Sequence, residues 1–145
     1  MSIRRKSREM ALQVLFCLDM LGEQSEHQIE ELCSLLNPSE KVLPFGLLLV
    51  KGVAARKAEI DALVARAASN WKLSRMDVVD RNIIRIAVYE MCFGEGVPPK
   101  VAINEAIDIG KKYGTERSGP FINGVLDNIQ HCSVPEKTRQ SINDA

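Results

Sequence analysis

At 145 residues, with 46% hydrophobic and 26% charged side chains, the chain has the size and make-up of one ordinary globular domain, which excludes disordered and collagen-like classes. Nineteen basic and nineteen acidic residues cancel to a formal net charge of zero, so any affinity for a polyanion has to come from local clusters of cations. Four cysteines lie far apart with no C-x-x-C pair, which fits reduced, buried thiols in a cytosolic protein better than a disulfide framework.

The first predicted element begins in IRRKSREMALQVLF, residues 3–16, where Arg4, Arg5, Lys6 and Arg8 precede the first acid, Glu9. Gln13 and Asp19 interrupt the apolar run, so it is no signal peptide, and Glu9 and Asp19 count against an acid-poor transit peptide. No window approaches the roughly 18–20 consecutive apolar residues of a membrane-spanning helix. Ala11, Val14, Leu15, Leu18 and Leu21 recur at threes and fours, the buried face of a helix ending near Gly22. With helical geometry extended back, Arg4 and Arg8 are i,i+4 neighbours and Arg5 and Arg8 are i,i+3, which puts three guanidiniums on one face as a phosphate-sized patch. The alternative is a solvated helix start with Arg5 paired to Glu9, and this stretch alone leaves both open. Met10, Phe16, Cys17 and Met20 fall outside the main stripe, an apolar surplus that suits an interface, a homodimer included.

Ser25-Glu26-His27-Gln28 has a capping-box pattern, and Ile29, Leu32, Cys33 and Leu36 come after it as a short amphipathic helix stopped by Asn37-Pro38. A third helix is predicted from about residue 44 to 69, its stripe drifting from Leu47, Val50 and Val53 to Ile60 and Val64 as in a long helix that changes partner. Asn70-Trp71-Lys72-Leu73 breaks the pattern, and Ser74 is the candidate cap of a fourth helix. This fourth helix carries Val78, Ile83, Ile84, Ala87, Val88, Met91 and Cys92 around much of its circumference and should be the most buried. Gly94-Glu95-Gly96-Val97-Pro98-Pro99 is the strongest break in the chain. Two shorter helices are predicted near 102–113 and 120–132, with Pro120 in the first turn of the second and a polar tail after Val134. No alternating strand pattern is present, so the predicted class is all-α.

The residues offer little for catalysis. His27 and His131 stand in no H-E-x-x-H frame, G-x-S-x-G is absent, and the glycine spacing of 119–124 lacks the Lys-Ser/Thr of a phosphate loop. Asp77 and Asp80 are paired carboxylates without a companion base, as expected of acids at a helix start. Binding signals are better. Lys111-Lys112-Tyr113 and Phe121-Ile122-Asn123 flank a Gly-rich turn and could hold a single-stranded base by stacking and edge hydrogen bonds; the alternative places both rings in the core. Gly124 inside a predicted helix suggests close packing, because glycine there costs about 1 kcal/mol against alanine.

Taken together, RRKSREMALQVLF at the start, DRNIIRIAVYEM (80–91), VPPKVAINEAIDIGKKYG (97–114) and FINGVLDNI (121–129) resemble the NusB family of transcription antitermination factors. The resemblance frames nearly the whole chain, with residues 23–70 matching in pattern more than in letters. It implies a NusB-like fold of two small packed helical bundles, six to seven helices in all, in a single RNA-binding domain with subdomains roughly 1–70 and 71–133 and a tail at 134–145. It implies an RNA-binding adaptor without catalytic residues, metal or cofactor. Such an adaptor binds boxA-type single-stranded RNA together with the ribosomal protein NusE and joins RNA polymerase to suppress termination on ribosomal RNA operons. By the same resemblance Arg4, Arg5, Arg8, Lys112, Phe121 and Asn123 are expected at the RNA, and Asp80, Arg81 and Ile84 on the helix presented to NusE. Arg117 and Gly119-Pro120 depart from the more acidic or polar turn of relatives, which should alter RNA binding there. A NusB-like domain also begins certain ribosomal RNA cytosine methyltransferases; ending at Ala145 with no cofactor loop and no catalytic cysteine pair, this chain would be at most their accessory domain. The remaining alternative is a purely protein-binding helical adaptor.

Overall fold

The computed structural model describes residues 2–22, 26–69, 71–94 and 96–133, without the side chains of 131–133. Among these residues seven α-helices succeed one another and no strand is present: α1 (Ile3–Leu21), α2 (Glu26–Leu35), α3 (Leu43–Ala55), α4 (Lys57–Ala67), α5 (Val78–Cys92), α6 (Pro99–Tyr113) and α7 (Ser118–Ser133), with a single 3-10 turn at Leu73–Arg75. The all-α expectation holds. The tail at 134–145 and Ser25 of the expected capping box lie outside the described residues.

Local chemistry accounts for most helix ends. The Ser2 hydroxyl accepts the Arg5 N–H at 3.0 Å to open α1, and Gly22, at φ 77°, closes it with its own N–H on the Leu18 carbonyl. Two expectations need correction. The helix foreseen over 44–69 is two helices, because the backbone leaves helical geometry at Arg56 (φ −111°, ψ 16°). Its drifting stripe has a physical cause: α3 packs on α1 and α5, while α4 turns to α5 and α7. The cap of α5 is Asp77, whose Oδ1 accepts the N–H of Val79 at 2.9 Å and of Asp80 at 3.4 Å, whereas Ser74 sits inside the 3-10 turn.

α5 is the central element, packed against α1, α3, α4, α6 and α7. Ile83, Ile84, Ile86, Ala87, Val88 and Met91 are all buried in one apolar cluster that also takes Leu18 of α1, Leu49 and Val50 of α3, Ile60 of α4 and Leu126 of α7. Each of the isoleucine, leucine, valine and methionine side chains contributes roughly 1.5–3 kcal/mol by leaving water. Close helix approach does occur at a glycine, but not at Gly124, which faces open space. It occurs at Gly110, where Ile122 of α7 fills the volume a Cβ would need. No helix among the described residues is long and apolar enough to cross a membrane.

Candidate nucleic-acid interface

The arginines of the opening stretch diverge. Arg4 is exposed and lies over the Phe45 ring at 3.9 Å, in a shallow groove with Lys41 and Leu48. Arg5 reaches α6, where its Nε donates to Glu105 at 2.8 Å and its Nη2 to Asp108 at 2.9 Å. Arg8 is only 5% exposed: its Nε and Nη2 donate to the Glu90 carboxylate at 2.7 and 2.8 Å, and Nη1 to Glu105 at 2.9 Å. Both paired arginines are held above the usual guanidinium range. For Arg5 the hydrogen bond to Glu105 leads; for Arg8 burial opposes the rise and Glu90 outweighs it. A single patch of three free guanidiniums is therefore not what the fold builds, and Arg8, expected at the RNA, sits in a buried ion pair. The Arg5–Glu9 pair is replaced as well, since Glu9 takes the Lys112 ammonium at 2.7 Å and the Tyr113 hydroxyl.

The partner-facing trio also lies inward. Ile84 is 0% exposed, so its side chain presents nothing to a partner in this conformation. Arg81 donates from Nε and Nη2 to Asp19 of α1 at 3.0 and 2.8 Å and from Nη1 to the Leu73 carbonyl at 2.9 Å. Asn82 and Arg85 add donors to the same Asp19 oxygen, each at 3.0 Å, and Arg85 also grips Asp61. Burial alone would raise the Asp19 carboxyl, but Arg81, Asn82 and Arg85 hold it below the ordinary range. Of the apolar surplus on α1, Met10 is core, while Phe16 and Met20 are 38% and 66% exposed and Cys17 is exposed too; Leu21, expected on the buried face, is corrected to 61% exposed, because it stands at the last position of the helix.

The third group converges better. Phe121, half-buried on α7, meets Trp71 in a T-shaped contact, ring centroids 6.0 Å apart and planes at 74°. The two rings wall an open cleft of about 310 Å³ that Arg75, Asp77, Asp80 and Arg117 also line. Arg75 and Arg117 are exposed and form no ion pair among the described residues. Asp80 is 8% exposed and takes a hydrogen bond from the Ser118 hydroxyl, yet its Oδ1 has no partner. Burial, with Asp77 adding to it, pushes this carboxyl upward. Asn123 is exposed on α7, whereas Lys112 is tied to Glu9 beside the Tyr113 ring. Sequence reasoning missed Trp71 and Arg75, which it passed over as a break between helices. The available signal was the chain's single tryptophan standing in a polar break, 55% exposed. No group of histidine, cysteine and carboxylate side chains among the described residues could hold a metal ion.

Known proteins share this fold. The NusB family model matches residues 5–131. The transcription antitermination protein NusB of Desulfosudis oleivorans is 51% identical over 132 residues, covering 89% of this chain and 86% of that protein. The protein of that name from Desulfatibacillum aliphaticivorans is 45% identical over 141 residues, 97% of this chain and 99% of its own. Among solved structures, T. maritima NusB superposes with a TM-score of 0.84 at 33% identity, over 94% of this chain and 96% of that one. A crystal structure of the antitermination factors NusB and NusE in complex with dsRNA matches with a TM-score of 0.79 at 28% identity, over 90% and 98%. Helix order, matched motifs and relatives aligned over nearly their whole length agree: the chain belongs to the NusB family.

Proposed function

We propose that the chain is a cytoplasmic transcription antitermination factor, an adaptor rather than a catalyst, which binds boxA-type single-stranded RNA together with a NusE-like ribosomal protein. In that role it acts in the antitermination complex of RNA polymerase on ribosomal RNA operons. The observation that carries the reading is the superposition on a NusB chain solved with NusE and dsRNA, over 98% of that chain. RNA contact is assigned to exposed Arg4, to Arg5 where it can leave Glu105, to Lys112, and to Phe121 and Asn123 on α7; Arg8 positions the opening of α1 instead. A protein partner is best received on the apolar strip of Phe16, Met20 and Leu21, beside the Asp19–Arg81 pair, rather than on Ile84. The same strip favours the second reading, a purely protein-binding adaptor or a homodimer.

The deciding experiment measures binding of a short boxA-like RNA, with and without NusE, against a scrambled RNA of equal length. Sequence preference that strengthens when NusE is present is the expected result. Equal weak binding to both RNAs removes the specific role, and salt-insensitive binding or none at all favours the protein-only adaptor.

A further inference from the structure

We propose that the groove between the start of α1 and α3 docks an amphipathic helix of a second protein partner, distinct from the NusE-like one, whose apolar stripe lies on Leu48 and whose acidic edge meets Arg4 and Lys41. The site does not depend on RNA binding, and of the residues it uses only Arg4 is also assigned to RNA.

α3 is built for more burial than it receives. Lys51 is the only charged residue among the thirteen of this helix, and a helix apolar all round belongs inside a protein. The fold buries one side of it, through Gly46, Leu49, Val50 and Val53. Pro44 and Leu48, one turn apart, stand exposed, Leu48 at 51%, and on the α1 wall of the same groove Ile3 is 46% exposed. An apolar stripe to spare, beside a second exposed aliphatic chain, marks a surface that lacks its cover.

Charge decides what the cover is. The groove has a volume of about 380 Å³, and its lining adds two cations, Arg4 and Lys41, to the apolar side chains and contains no acid. Neither cation has a carboxylate partner among the described residues. Arg4 is already held, its guanidinium 3.9 Å from the centre of the Phe45 ring, so little side-chain freedom is lost when it takes a carboxylate. The groove on the other flank of α3, toward α2, is lined by Glu30, Ser34 and Asn37 and by no cation, which directs an acidic ligand to the α1 side.

RNA fits this groove poorly. Phe45 carries one guanidinium and has that of Arg8 at 5.6 Å, which leaves a base little to stack on, while Ile3, Pro44 and Leu48 offer nothing to phosphates or base edges. An extended peptide has no strand edge to pair with among the described residues. A helix satisfies its own backbone and needs only side-chain anchors at i, i+3, i+4 and i+7, which an apolar groove with a cationic rim supplies.

The probes are labelled helical peptides of about 18 residues, long enough to hold helix, with one leucine stripe and either glutamate, glutamine or lysine along one edge. Each is titrated into the full chain and followed by fluorescence anisotropy. The glutamate peptide should bind saturably, at least about threefold more tightly than the glutamine peptide through two exposed ion pairs, with the lysine peptide weakest. Leu48→Gln, a neutral change at an exposed position, should weaken the glutamate peptide at least about tenfold, and Lys41→Gln should shrink the advantage of glutamate over glutamine. Leu35→Gln removes a still more exposed leucine, at 77%, from α2 and should change nothing. Thermal melting confirms the fold of each variant, and the comparison of peptides needs no variant at all. Equal affinity for the three peptides, no saturable binding, or a loss in Leu35→Gln as large as in Leu48→Gln overturns the site. So does evidence of another occupant. Binding of a uridine 12-mer or of NusE weakened by Leu48→Gln as much as that of the peptide would give the groove to RNA or to NusE. A parent chain that sediments as a dimer while Leu48→Gln sediments as a monomer would give it to a second copy.

Discussion

The opening of α1 and the Trp71–Phe121 cleft both carry arginines, and the two regions use them in opposite ways. Arg5 and Arg8 are spent inside the molecule, on Glu105, Asp108 and Glu90. Arg75 and Arg117 are exposed and unpaired among the described residues, next to a carboxylate oxygen that itself has no partner. A run of cations in a sequence thus measures charge but not availability. What a phosphate encounters is the charge left after the protein's own carboxylates have bound theirs, and by that measure the cleft's Arg75 and Arg117 stand level with exposed Arg4 and Lys6 at the opening, although the opening has more arginines in its letters.

The largest expected effect tests the buried side of this contrast. Arg8→Ala leaves Glu90, whose side chain is 3% exposed, without its ion partner, and should cost about 3–5 kcal/mol of stability in urea or thermal unfolding. Pairing Arg8→Met with Glu90→Leu should restore most of that loss. A stable Arg8→Ala protein with weakened RNA binding would return Arg8 to the RNA surface.

Phe121→Ala tests the open side. RNA affinity should fall by about 1–3 kcal/mol if the ring stacks on a base. Stability should fall by less than the roughly 3–5 kcal/mol of a fully buried phenylalanine, because the ring is only half-buried. Measured on one variant, an unchanged RNA affinity together with the full stability loss would make Phe121 a core residue and nothing more.

Salt dependence compares the two regions directly. Removing Arg75 and Arg117 together should flatten the slope of log K against log salt by about 1.4 for a single strand, near 0.7 each. Removing Arg4 and Arg5 should flatten it by about 0.7, because Arg5 already has its counter-charge in Glu105. The reverse order would show that RNA pulls Arg5 free of α6 on binding.

The smallest effect is in pH. Asp19 and Glu9 are held below the ordinary carboxylate range, the former by Arg81, Asn82 and Arg85 and the latter by Lys112 and Tyr113 against the opposing pull of burial. Their stabilising contribution is complete above that range and is lost as pH falls from it through their lower folded-state values. Asp80 has the opposite sign. Burial lifts its carboxyl, so ionisation opposes folding, and Asp80→Asn should raise the melting temperature at neutral pH but not at a pH low enough to protonate the carboxyl in both states. A variant less stable than the parent at neutral pH would show that the carboxylate has a partner after all.

Much of the fold was legible from local rules. The stripe from Ala11 to Leu18, the closing Gly22 and the all-round apolar α5 come from periodicity and from a residue that tolerates positive φ. The break at Arg56 was not legible, because nothing in its own letters stops a helix; the split tracks which partner each half packs against. The fate of the arginines was hidden for a related reason. Their acids lie about 80 to 100 positions downstream, beyond any i,i+4 rule. Phe121 was found by its motif, but its neighbour Trp71 arrives from a segment whose only local signal was the end of a pattern.

The pairs that bind α1 at its two ends also set an order of opening. Near its start Arg5 and Arg8 hold it to α5 and α6, and near its end Asp19 gathers donors from Arg81, Asn82 and Arg85. Backbone amides of α1 should therefore exchange with deuterated solvent only in near-global unfolding, while α2, which buries only Ile29 and Cys33, releases its protection much earlier. A partner arriving at Phe16 and Met20 then meets a strip of helix that is already rigid, and little of its binding free energy goes into ordering it.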